Sequence, residues 1–380
     1  MEVLGRDRGS GVARERTEAE TGEDGIERRD RPPSAVRLGS FLARDGSDGA
    51  AVWVDADTPH AGVVFGKRGT GKSYTLGVLA EGLAAATGVV PVIVDPMGVF
   101  AGVTADGGRV VAPTVRPAAI PPSVWPAVVG LDPTSGPGSL LWRAVADAVD
   151  DGADVADEGA DTNRRPSLEA IGARVAATDA PDRTRRAVRN HLQLAASWGV
   201  FDAEAPPISA LVRDGDPVVI DLAEVPERAA GAVVRAVARG LYDARLAGRI
   251  ARLPWLLVDE AHAFFDGVAD AALRTLLTRG RAPGVSLVCA TQRPSALPDV
   301  AVSQADLLIA HRLTAGPDVE ALAAAEATYL TGDLAARLPS GTGEALVVDD
   351  ASETAHLVRV RKRRTPHGGG SPRASDAAGG

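Results

Sequence analysis

Apolar and polar positions along this chain alternate between two rhythms. Short aliphatic runs predict buried strands at Ala61–Phe65 and at residues 89–94, 217–222, 255–258, 285–290 and 307–310. Residues 128–131 form one more candidate strand, and residues 345–348 and 356–360 predict a closing pair. Between these runs the apolar positions recur at helical spacing. Leu76, Leu79 and Leu83 share one face over residues 72–86; Val233, Val237, Leu241 and Ala244 do so over residues 229–248. A further helix opens at Gly316-Pro317, with Asp318 and Glu320 in its first turn. Apolar strands alternating with helices predict an α/β fold, a mostly parallel sheet with helices on both faces.

The rhythm breaks between residues 134 and 212. There the pattern predicts helices at residues 140–149, 168–177 and 183–198, joined by an acidic, small-residue loop at 150–165. The expected organisation is a disordered tail (residues 1–34), the first part of the core (35–133), a helical insertion (134–212), the second part of the core (213–365) and a second disordered tail (366–380). Both tails lack apolar periodicity.

Composition narrows this picture in three ways. At 380 residues and 45% hydrophobic content the chain can bury a large core, but only 4% is aromatic, so that core is aliphatic. A net charge of −9 argues against a generally nucleic-acid-coating surface and leaves room for a local basic channel. The single cysteine, Cys289, lies inside an apolar strand and reads as a buried thiol. No secretory leader and no membrane-length apolar run is visible, so a cytoplasmic location is expected.

Lysine occurs three times, and two of the three, Lys67 and Lys72, fall in one loop. Gly66-Lys67-Arg68-Gly69-Thr70-Gly71-Lys72-Ser73 satisfies the G-x-x-x-x-G-K-[ST] phosphate-loop pattern between a strand and a helix. The glycines let backbone N–H groups turn inward around phosphates; Lys72 reaches the β- and γ-phosphates, and the Ser73 hydroxyl ligates Mg²⁺. The expected nucleotide-binding stretch runs from Gly66 through Tyr74. The strand at 255–258 delivers Asp259 and Glu260. Asp259 is expected in the Mg²⁺ shell and Glu260 as the group that orients and deprotonates water. Gln292, at the end of the neighbouring strand, is the candidate γ-phosphate sensor. Asp95 and Asp221 end two further strands, Asp221 as a turn former and Asp95 as either a turn former or a supporting group of the site. The scattered histidines, His60 and His262 among them, show no metal-ligand spacing.

These stretches resemble the HerA–FtsK branch of P-loop ATPases, and most of all the HerA-type DNA translocases. The resemblance lies in residues 60–73, Val94-Asp95-Pro96-Met97-Gly98, Leu257-Val258-Asp259-Glu260-Ala261-His262, Ala290-Thr291-Gln292-Arg293-Pro294-Ser295, residues 304–313 and the ending at 361–369. It implies a RecA-like additional-strand core, ATP and Mg²⁺ as ligands, and a homo-hexameric ring pumping double-stranded DNA. It also implies an arginine supplied by a neighbouring subunit, for which Arg281 is the matching position and Arg312 a second candidate. Residues 99–109 and 115–125 are the candidate pore loops. The sequence departs from the family in having only residues 36–59 before the first core strand, too few for the family's N-terminal β-barrel, and in Val99, where an acid is common. A nuclease or other protein partner is therefore left open. The reading is an ATP-hydrolysing DNA motor; a nucleotide-dependent scaffold or switch, or an ATPase energising conjugation or secretion, are the alternatives.

Overall fold

The computed structural model describes residues 2–6, 34–153, 166–323 and 335–369. In chain order the strands are β1 (Glu2–Leu4), β2 (Ala35–Leu42), β3 (Asp48–Asp55), β4 (Ala61–Phe65), β5 (Val89–Asp95), β6 (Arg109–Val111), β7 (Val218–Asp221), β8 (Leu253–Val258), β9 (Ser286–Thr291), β10 (Leu307–Ala310), β11 (Glu344–Asp349) and β12 (Thr354–Val360). The helices are α1 (Lys72–Ala84), α2 (Trp125–Val129), α3 (Gly136–Ala153), α4 (Leu168–Ala177), α5 (Asp182–Ser197), α6 (Ile208–Leu211), α7 (Glu227–Leu246), α8 (His262–Phe265), α9 (Asp270–Arg279), α10 (Asp299–Ser303) and α11 (Gly316–Ala323).

The described strands form one sheet in the order β1-β3-β2-β12-β11-β10-β4-β9-β8-β5-β7-β6. From β10 to β6 every neighbouring pair is parallel. The interposition of β9 between the phosphate-loop strand β4 and the acid strand β8 is the additional-strand arrangement expected above. β4 shows why the sheet is buried on both sides. Ala61, Val63 and Phe65 face one core, which holds the buried faces of α2, α3, α4, α5, α7 and α9. Val64 faces the other, with Leu76, Leu79 and Leu83 of α1. Both faces need apolar cover, so the core strands read as continuous rather than alternating runs.

Several sequence expectations change. Residues 128–131 are not a strand. Pro126 opens α2, and Gly130 ends it at φ 77 with its N–H donating to the Ala127 carbonyl; a short apolar run cannot by itself distinguish the two states. Residues 35–55 form the antiparallel hairpin β2–β3, added to the sheet beside β12. Glu2–Leu4, placed in a disordered tail above, pairs in parallel with β3, and Arg6 bonds Asp55; residues 7–33 of that tail lie outside the described residues. So do residues 154–165 of the expected acidic loop and residues 370–380; residues 150–153 belong to α3. β6 and α9 were not anticipated.

Both candidate pore segments are anchored by buried side chains, while residues 104–107 are exposed. Val115, Ile120 and Trp125 are buried, and the Arg116 Nε donates to the Ala205 carbonyl at 2.5 Å. In the other segment Phe100 and Val103 are buried, and Arg364 reaches Asp106.

The chain's closing segment straps α1. Glu81, 2% exposed, accepts hydrogen bonds from Arg361 Nη1 (2.7 Å), the Arg364 N–H (2.9 Å), the Thr365 N–H (2.9 Å) and the Thr365 hydroxyl (2.7 Å). Burial alone would push its carboxyl up, but these donors outweigh it and hold the pKa below the ordinary 4.5. A depressed carboxyl contributes stability above its unfolded value that is lost as pH falls through the folded one. Removing one partner of a buried charge network costs on the order of 3 kcal/mol. Glu81→Ala is therefore expected to lower stability by about that much in denaturant melts at pH 7, with the difference from the unmodified protein shrinking below about pH 4.5.

Candidate nucleotide and catalytic site

Strand register brings the site together. Phe65 of β4 is level with Thr291 of β9, Cys289 of β9 with Val258 of β8, and Val258 with Val94 of β5. Gly66, Thr291, Asp259-Glu260 and Asp95 therefore emerge side by side at the carboxyl edge, where open parallel sheets bind ligands.

The loop from Gly66 to Gly71 is built on its own backbone. The Thr70 hydroxyl and N–H both donate to the Lys67 carbonyl, at 2.7 and 3.2 Å. The Lys67 N–H donates to the Arg312 carbonyl, and the Gly343 N–H to the Thr70 carbonyl. Gly71 sits at φ 126, and a Cβ there would lie 3.1 Å from His311; only glycine allows both the turn and that approach. A Cβ at Gly66 would fall 2.6 Å from the Thr70 hydroxyl. α1 starts at Lys72 without a side-chain cap, so its first N–H groups are free to face an anion.

Lys72 is 5% exposed. Burial lowers its pKa, and the Glu260 and Asp259 carboxylates oppose that shift. The Ser73 hydroxyl donates to Asp259 Oδ2 at 2.6 Å, and the Glu260 N–H donates to Asp259 Oδ1 at 3.0 Å. Burial pushes the Asp259 carboxyl up, against the pull of Ser73. Two hard oxygen donors in direct contact beside a phosphate cup fit Mg²⁺, which takes one or two protein oxygens and keeps its remaining shell for water and phosphate.

Glu260 is strained. Its φ is 45, a left-handed conformation that costs a non-glycine residue of order 1–3 kcal/mol. Its carboxyl is raised first by burial, while Lys72, the Gln292 N–H and Arg68 pull it down. Oε2 is buried without a hydrogen bond, with His262 Nδ1 3.4 Å away. A buried acceptor oxygen without a hydrogen bond of its own is suited to accept one from a water molecule.

Gln292 meets this site through its backbone, whose N–H draws the Glu260 carboxyl pKa down. Asp95 is an anchor: its carboxylate accepts from the Met97 and Phe100 N–H groups at 3.2 and 2.8 Å. Asp221 accepts from the Ala223 N–H and is a turn former, as expected. Tyr74 faces the closing segment, its hydroxyl accepting from the Arg363 N–H at 2.6 Å and its ring meeting His367 edge-on. Arg281 is not brought to this edge. It donates to the Gln304 carbonyl at 2.8 Å and lies 3.4 Å from Asp306; Asp306 pairs with Ala61 at the start of β4. That is the opposite end of a five-residue strand, about 15 Å from the phosphate loop at ~3.3 Å per residue.

Two histidines belong to the site although the sequence did not reveal them. His262 Nδ1 lies 3.1 Å from the Thr291 hydroxyl, which in turn accepts from the Arg293 N–H. His311, fully buried behind the loop, bridges the Thr75 hydroxyl (2.9 Å) and the Glu344 carbonyl (2.8 Å). Only sheet order places β10 beside β4, so no local spacing signals His311.

The model of the HerA helicase central domain matches residues 36–241, over half of the chain. The chain belongs to the HerA helicase central-domain family. Its fold is that of the RecA-like P-loop ATPases. VirB4 of Thermoanaerobacter pseudethanolicus is similar at 19% identity and TM-score 0.66, over 88% of this chain and 98% of that one. The bacterial conjugative coupling protein TrwB, in an unbound form, is similar at 19% identity and TM-score 0.57, over 88% of this chain and 95% of that one. The plasmid coupling protein TrwB in complex with ADP and Mg²⁺ matches at 17% identity and TM-score 0.56, over 87% and 94%. No match was found among the curated proteins.

Burial pushes His311 down to about 4 from its ordinary 6.5. A histidine with a lowered folded pKa stays neutral in the fold while the unfolded chain takes a proton. Stability should therefore decline as pH falls from 6.5 towards 4. His311→Gln should flatten this part of the decline in urea melts and weaken nucleotide binding by loosening the loop.

Proposed function

We propose that this protein is an ATP-hydrolysing, ring-forming motor that moves or unwinds double-stranded DNA. One observation carries the hydrolytic part: Lys72, Ser73, Asp259 and a strained Glu260 with an unpartnered buried oxygen share one cup. The loop amides and Lys72 bind the β- and γ-phosphates of ATP. Ser73 and Asp259 hold Mg²⁺, which when bound neutralises charge on the phosphate oxygens. Glu260 orients the attacking water and accepts its proton. Gln292, whose backbone N–H draws the Glu260 pKa down, carries a side chain suited to sensing the γ-phosphate. The TrwB complex with ADP and Mg²⁺ supports the same ligand pair here.

The ring reading rests on family membership. Arg281, with its side chain 49% exposed though held by the Gln304 carbonyl and Asp306, is the candidate to reach a neighbouring subunit, and Arg312 remains the second candidate. The DNA substrate follows from the HerA helicase family. No described helix is long and apolar enough to cross a membrane, which fits a cytoplasmic motor. The similarity to a conjugative coupling protein keeps conjugation among its settings.

Glu260→Gln should bind ATP normally, lose hydrolysis by at least about 10²-fold, and trap ATP in the ring. The unmodified protein should hydrolyse ATP faster with duplex DNA and show a hexamer mass with ATP present. The acid limb of its pH–rate profile should lie higher than an ordinary glutamate would give, because burial raises Glu260. ATPase activity unmoved by duplex DNA at any salt would leave the scaffold reading in place of the motor.

A further inference from the structure

The arginines of the two segments expected to line a pore are already engaged. Arg109 binds the Leu211 carbonyl and Asp214, and Arg116 binds the Ala205 carbonyl. Most helix arginines elsewhere are similarly committed: Arg239 to Asp243 and Arg274 to Asp270, Arg245 to the Pro283 and Ile250 carbonyls; Arg279, at the end of α9, is exposed and stands alone among the described residues. α5 is different. Its buried side is Val188, Leu192 and Ala195. Its outer side carries Arg183, Arg186, Arg189, Asn190, Gln193 and Ser197, all exposed.

Among the described residues none of Arg183, Arg186 and Arg189 has an ion pair or side-chain hydrogen bond, whereas Arg185 between them is held by Asp182 and by the Thr178 carbonyl. At 100° per residue, Arg183, Arg186, Asn190, Gln193 and Ser197 fall within a strip about 80° wide, with Arg189 on its flank. From Arg183 to Phe201 the sequence contains no carboxylate, in a chain of net charge −9. Every exposed group on the strip itself can donate a hydrogen bond; the exposed carboxylate of Asp182, paired with Arg185, lies on the Arg189 flank, and exposed Leu194 borders the other edge.

We infer that the outer face of α5 is a contact surface for the phosphate backbone of duplex DNA. The inference rests on the motor reading above and names where the helical insertion meets the substrate. The three free guanidiniums span six residues, about 9 Å of helix, a length that covers two or three phosphates. Arginine forks and amide donors read phosphate oxygens without reading sequence. That is the contact a motor moving along arbitrary sequence requires. A like-charged acidic surface elsewhere would leave this strip as a local site of attraction, consistent with steering in an acidic protein.

The test is a triple variant of the full chain, Arg183→Gln with Arg186→Gln and Arg189→Gln, beside a control with Lys at the same three positions. Arg, Gln and Lys have similar helix propensities, so folding should be unaffected. Binding of a mixed-sequence duplex is measured across a salt series, with ATPase activity and ring mass recorded in parallel. Each lost phosphate contact lowers the slope of log K against log salt by about 0.9, so the Gln variant should lose about 2.7. Its duplex-stimulated ATPase should fall while activity without DNA and ring mass stay unchanged. The Lys variant should keep most of the slope. An unchanged slope and stimulation in the Gln variant would overturn the inference while leaving the motor reading intact. Loss of the ring would overturn it in favour of a subunit contact. Retained DNA binding with capture of an acidic protein lost would overturn it in favour of a protein surface. No duplex effect on the unmodified protein would instead remove the motor reading itself.

Discussion

The Ser73–Asp259 contact depends on a strand that carries neither residue. β9 lies between β4 and β8, and its register to each sets how far the phosphate loop and the acid pair protrude from the same edge. A one-residue slip in either pairing would move Asp259 by about 3.3 Å and turn its side chain to the other face. Burial on both faces prevents such a slip, because it would drive the Val63/Phe65 set and Val64 into the wrong cores. The continuous apolar composition of β4, β8 and β9 is thus what keeps the Ser73 hydroxyl in hydrogen-bonding contact with Asp259 and the Lys72 ammonium within charge range of both carboxylates.

How much of this was legible in the sequence follows from how local each feature is. The phosphate loop was legible because its turn, its glycines and its lysine are contiguous. The acid pair was legible because a dry strand ending in two carboxylates follows a phosphate loop in the same chain; by itself it would be a weaker signal. Glu81, His262 and His311 were not, since each gains its role from a partner far along the chain: Thr365, Thr291 and Glu344. The hairpin β2–β3 was missed because residues 48–51 at its start are polar or small and mostly exposed, which hides the alternation. α2 was misread because four apolar residues fit either period; only Pro126 and Gly130 settle it. Tyr74 was read with the loop by adjacency alone, while the helix turns it toward Arg363.

The closing segment joins these two levels. Residues 361–368 tie together Glu81 in the middle of α1, Tyr74 at its start and the loop held by Asp95, through the Gly368 N–H on the Val99 carbonyl. The helix that presents Lys72 and Ser73 is therefore braced from outside by the chain's end and from inside by the sheet. Nothing in that bracing touches a phosphate, yet it fixes the axis along which the α1 N–H groups point.

Strain at Glu260 gives the site its direction. A left-handed glutamate at the end of β8 is held by the hydrogen bond from its own N–H to Asp259. The Gln292 N–H lies close enough to draw the Glu260 carboxyl pKa down, so the candidate catalytic carboxylate and the peptide of the candidate γ-phosphate sensor share one electrostatic environment. A displacement of the 291–293 turn would alter that environment. The same turn is tied to His262 through Thr291, and His262 begins α8, which lies with α2 and the start of α7 around one cavity of about 460 Å³. α2 in turn meets α5, where His191 Nδ1 bonds the Val129 carbonyl. The candidate hydrolytic carboxylate and the helix whose outer face carries the free arginines thus flank one cavity through named residues of α8, α2 and α5.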